Sequence, residues 1–142
     1  MRSFYAFKGF DKDLKCRDFQ YEIGKTYKMD CEPSLCEEGF HCCFKLQDVF
    51  DYYPLFEEIG HEQVLSQNRY CLVKVLGDID NDCFLGIDRS IKIVTNKIKI
   101  VQELTIEDVL RICSDDFDIL KDSQRAIKTT LNFLQNIHFT NK

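Results

Sequence analysis

The sequence predicts an α+β fold in a single domain over residues 1–142: a mostly antiparallel sheet, one short inserted helix and a C-terminal helical pair. Three observations predict it. Short aromatic or alternating apolar stretches of strand length fill residues 4–104. The apolar period switches to that of a helix at Leu46 and again beyond Thr105. Between those switches lies RYCLVKVLGDI, nearly continuous in apolar residues from Tyr70 to Leu76, as a strand covered on both faces must be.

The elements follow in order. FYAFKGF carries Phe4, Phe7 and Phe10 with Tyr5 between, which makes a strand apolar on both faces. FQYEIGKTYK alternates Phe19, Tyr21 and Ile23 with Gln20 and Glu22, the signature of a half-buried strand bent at Gly24. GFHCCF reads as a strand that Gly39 turns inward, with Phe40 and one of Cys42 and Cys43 in the core. Leu46, Val49, Phe50 and Tyr53 then share one face of a helix of about two turns, which Pro54 stops. Residues 55–68 read as a short helix and a loop. DIDND is a turn, FLGI and SIKIV are strands, and KIKI reads as an edge strand guarded by its lysines. Thr105 to Asp108 forms a capping box before a face of Ile106, Val109, Leu110 and Cys113. A second helix near Ser123 sends Ile127, Leu131, Leu134 and Ile137 inward.

Composition narrows the function classes. At 142 residues, 44% hydrophobic and 30% charged, the chain has material for one core. Its net charge of −5 argues against direct nucleic-acid binding, which relies on a basic field. The N-terminus lacks a signal-peptide apolar region, and the longest apolar patches contain a lysine, so the expectation is a cytoplasmic chain with no membrane partner. In that compartment the eight cysteines stay reduced.

The choice for those thiols is between packing and chemistry. Zinc is the sharper reading, with Cys31 and Cys36 as one pair and Cys16, His41, Cys42 and Cys43 nearby. The second pair is poor, because adjacent strand residues face apart, so buried thiols are favoured and no cofactor is expected. A Cys–His catalytic pair built on His41, His61 or His138 has no local signature. Asp78, Asp80 and Asp82 suggest calcium, yet Cys83 and Arg89 occupy the positions where an EF-hand needs Gly and Glu. The glycines form neither a dinucleotide nor a phosphate loop. His41 reads first as a satisfied structural histidine, and Tyr52 as the exposed tyrosine able to stack on a ligand.

YAFKGFDKDLKCRDFQYEIGKTYK, CEEGFHCCFKLQDVFDYYP, RYCLVKVLGDI and KIVTNKIKIVQEL, in that order, resemble an uncharacterised family of small bacteriophage and prophage proteins. The shared pattern is KGF…C-x-x-FQYE-x-GK-x-Y…GFH-x-C…YY; it covers residues 4–104 and leaves 105–142 as a helical extension. This chain has Asp18 where the family pattern has glycine, and Lys45-Leu46 in place of proline-leucine. The resemblance implies a phage setting inside the host cytoplasm. By analogy with small acidic phage proteins, it implies a non-enzymatic inhibitor of a host protein such as a CRISPR-type defence nuclease. A looser likeness to ADP-ribosyltransferases implies instead an NAD-using enzyme with Lys8, Tyr52 or Tyr53, and Glu103 as its site. A small zinc-stabilised interaction module is the third reading. Lys8, His41 and Tyr52 are the binding candidates these readings share out.

Overall fold

Strand β1 (Phe4–Phe10) runs antiparallel to β8 (Arg69–Val75) along its whole length, and the two form the middle of a six-stranded sheet. The computed structural model describes residues 3–30, 32–33, 39–80, 92–114 and 117–140, with the backbone alone at 117–119 and 135–140. On one side of this pair lies β10 (Lys97–Glu103), followed by the short β4 (Thr26–Lys28). On the other lie β5 (Phe40–Cys43) and then β9 (Lys92–Thr95). The α+β architecture expected from the sequence is the one observed.

One face of the central strands is fully covered. The other is closed only near Gly9 and Tyr70 and opens toward Tyr5, which is 57% exposed, with Leu72 and Lys74 half-buried. The two-sided burial expected from the apolar runs is thus only partly realised. Cys71, Val73 and Val75 join Ala6, Phe10, Ile98 and Ile100 in one core cluster. Tyr70 enters the other with Cys43, Leu46, Val49 and Val109. Cys42 and Cys43 are each 3% exposed and fall in different clusters, so adjacent strand residues do face apart and both thiols are buried instead of one. Phe40 is buried as expected, and Gly39 takes φ +104, which favours glycine.

Several elements differ from their sequence reading. FQYEIGKTYK is no continuous strand. β2 (Lys15–Cys16) and β3 (Phe19–Gln20) make a two-residue hairpin, Tyr21 is buried, and Phe19 and Ile23 are exposed. Its turn residues, Arg17 (φ 53) and Asp18 (φ 68), are both left-handed, as primed hairpin turns require. Aspartate at position 18 is among the few residues besides glycine that tolerate this conformation.

Helix α1 (Leu46–Val49) is a single turn that continues as hydrogen-bonded turns to Tyr53, and Phe50 and Tyr53 are half-buried where full burial was expected. Residues 55–68 contain a hairpin, β6 (Phe56–Ile59) and β7 (Glu62–Leu65), in place of a helix. The lysine–isoleucine alternation is real, with Ile98 and Ile100 fully buried, but β10 is not an edge: β4 pairs with it from Lys97 to Lys99. FLGI lies outside the described residues.

Helix α2 (Ile106–Ile112) starts at the expected capping box. The Asp108 N–H donates to Thr105 Oγ1 at 3.1 Å, and the Thr105 N–H to Asp108 Oδ2 at 2.9 Å. Helix α3 (Phe117–Thr140) docks on β7 through small residues. Ser123 and Ala126 are fully buried, and Thr130 Oγ1 accepts the Leu65 N–H at 3.2 Å. Leu131 and Leu134, expected inside, are 54% and 57% exposed, because a close approach to β7 selects the narrow face of the helix over the wide one.

Candidate functional site

β1 and β5 share a single register pair, Phe7 with Cys43, whereas β1 and β8 match over seven residues. Beyond that pair the strands splay, and the gap is a cleft of about 450 Å³, a volume suited to a small ligand or a side chain of a partner. Lys8 bridges the gap. Its Nζ donates to the backbone carbonyl of His41 at 2.6 Å, standing in for a ladder bond that the splayed strands do not make.

The Lys8 ammonium is an unusual core group. The residue is 2% exposed, and among the described residues its charge has no carboxylate partner. Besides the carbonyl it meets Cys16 Sγ at 3.5 Å and the rings of Tyr21 and Phe10 at 5.1 and 5.7 Å. The carbonyl and the negative ring faces partly replace lost hydration.

The opposite wall comes from the chain after α1. A Cβ on Gly9 would lie 2.7 Å from Tyr53 Cδ2 and 2.8 Å from Val49 Cγ1, so glycine is what lets this wall rest on β1. Tyr53 then reaches across, its hydroxyl donating to Cys16 Sγ at 3.2 Å. Tyr52 stands 46% exposed, with Lys92 Nζ 4.6 Å from its ring centroid. Arg17, from the β2–β3 turn, and Asp51 complete the polar lining.

Three cations, Lys8, Arg17 and Lys92, line this cleft against one carboxylate, Asp51. Burial, followed by the charges of Lys8, Arg17 and Lys92, pushes His41 down to about 4 from its ordinary 6.5. Its imidazole is therefore neutral at physiological pH. His41 Nε2 is buried without a hydrogen-bond partner among the described residues, which departs from the satisfied histidine expected. Burial, helped by the Asp48 carboxylate, raises the Cys43 thiol to about 12. Burial and the bond to Cys16 also raise Tyr53. Such a thiol is no nucleophile at neutral pH.

Lys8, His41 and Tyr52, scattered over 45 positions of sequence, line the same cleft. Glu103 does not join them. It lies in the cross-strand row of Lys8 and Cys71, and its carboxylate is held by Arg69 through two hydrogen bonds of 2.8 and 2.5 Å. That pairing holds Glu103 below the usual carboxylate range. The transferase site inferred from the sequence thus has two of its positions in the cleft and the third tied into the sheet.

Sequence reasoning missed Arg17, Lys92 and Gly9. Gly9 left a signal, since a glycine inside a strand marks a close approach. Lys92 left none, because its place opposite Cys43 depends on β5–β9 pairing across a long connection. Among the described residues no group of three or more His, Cys, Asp and Glu side chains is placed to hold a metal. Cys31, Cys36, Asp82 and Cys83, on which the zinc and calcium readings drew, lie outside those residues. No helix among the described residues is long and apolar enough to cross a membrane.

The chain belongs to the family described as Domain of unknown function (DUF7666), which matches residues 4–112. The match runs past the boundary at 104 drawn from sequence and takes in α2, leaving α3 beyond it. No curated protein and no solved structure matches the chain.

Proposed function

We propose that this member of the family is a non-enzymatic binding protein of phage or prophage type. It occupies a surface of a host protein, with a defence nuclease as the partner the sequence resemblance favours, and it meets that partner at the β1–β5 cleft. The observation that carries this reading is how the cleft's polar groups are committed. The Lys8 ammonium is spent on a carbonyl, the Tyr53 hydroxyl on Cys16, and the Cys43 thiol is held protonated by burial. At the mouth stands the exposed ring of Tyr52, an aromatic of the kind that anchors interfaces, with Lys92 beside it.

The test is affinity capture from host lysate with tagged wild-type chain, set against the Tyr52→Ala variant and read by quantitative mass spectrometry. A host protein is expected to be held one-to-one by wild type and reduced about tenfold or more by the variant, the scale of an interface anchor. Identical capture by both chains would remove the cleft from the interface. NAD consumption, or covalent modification of the partner by substoichiometric chain, would replace the binding reading with the transferase.

A further inference from the structure

The cleft is a local reversal of the chain's overall charge. The chain carries net −5, yet the cleft is lined by three cations and one carboxylate. These cations come from three separate parts of the fold. Lys8 sits on β1, Arg17 in the β2–β3 turn and Lys92 on β9, so their convergence is not a property of one strand or one basic run. All three fields act on His41, which stays neutral. Its Nε2 is a buried polar atom without a partner among the described residues, and such atoms in folded proteins call for an explanation.

We infer that this cleft is an oxyanion site: it takes a phosphate or carboxylate group between Arg17 and Lys92, with the neutral imidazole of His41 in its wall and the buried Lys8 charge behind it. Arginine supplies the planar fork that fits such groups, and lysine adds a point charge. Low-dielectric walls strengthen both contacts. Tyr52 forms the wall along which the body of the ligand lies. This deepens, and rests on, the reading of the cleft as the partner contact, with an acidic or phosphorylated side chain as the group inserted.

The probes are phenyl phosphate and benzoate, with benzyl alcohol as the neutral control, titrated into the full chain and followed by amide and imidazole NMR. One or both anions are expected to give saturable shifts at His41, Arg17 and Lys92, and the control none. Affinity should fall about tenfold in Lys92→Gln and again in Arg17→Gln, the scale of one charge-assisted contact. A stronger response to phenyl phosphate marks a phosphate site, and a stronger response to benzoate a carboxylate site. No saturable shift with either anion, equal shifts with benzyl alcohol, or unchanged affinity in both variants would overturn the inference. The proposal on function fails separately. If phenyl phosphate binds while Tyr52→Ala leaves host-protein capture unchanged, the oxyanion site stands and the interface reading falls; if capture depends on Tyr52 while neither anion binds, the reverse holds.

Discussion

Phe10→Ala is expected to lower the unfolding free energy by about 3–5 kcal/mol, the cost of emptying a fully packed aromatic site. Phe10 is 0% exposed at the end of β1 and meets Tyr21 edge-on, with ring centroids 5.3 Å apart. Its ring also faces the Lys8 ammonium, so truncation removes part of what compensates a buried charge as well as apolar contact. Chemical denaturation measures this directly. A loss below about 1 kcal/mol would mean that the ring is not packed as described.

Gly9→Ala is expected to destabilise by about 1–3 kcal/mol, the usual range for forcing extra volume into a packed site. Two effects oppose each other here. Replacing a glycine stiffens the unfolded chain and by itself favours folding by about 0.4–1 kcal/mol. Against this, the new methyl group would sit 2.7–2.9 Å from Tyr53 and Val49 and must push one of them away. The clash is the larger effect, so the sign is unfavourable. The displaced residue is Tyr53, whose bond to Cys16 crosses the cleft, and its ring resonances should move with the stability loss. A stabilised Gly9→Ala chain would show that this wall does not rest on β1.

The sequence carried the local features well. The Thr105–Asp108 capping box, the opposed faces of Cys42 and Cys43 and the burial of Cys71, Val73 and Val75 on one face of β8 all follow from short-range rules of spacing and pleat. Features set by distant partners were not legible. KIKI reads as an edge strand by composition, but β4, some seventy residues earlier, covers it. The α3 face was assigned to its large apolar residues, whereas the small residues Ser123 and Ala126 are the buried ones and Thr130 meets β7 through the Leu65 N–H. For the cleft, the sequence pointed to Lys8, His41 and Tyr52 one at a time. It could not reveal that β1 and β5 part after one register pair, which is what brings the three together and adds Arg17 and Lys92.

The electrostatic character of that cleft is testable on one nucleus. His41 is expected to titrate near 4 in the folded chain, well below 6.5, because burial and the Lys8, Arg17 and Lys92 charges disfavour its protonated form. The sign for stability follows by linkage. Between pH 6.5 and about 4 the unfolded chain binds a proton at this residue that the folded chain resists, so His41 makes stability decline as pH falls through that window. The decisive measurement is the imidazole NMR titration of His41 in wild type and in Lys92→Gln. A wild-type midpoint near 4 that rises when the Lys92 charge is removed is the expected result. A midpoint at the ordinary 6.5, unmoved by the substitution, would contradict a buried, positively charged cleft at the β1–β5 splay.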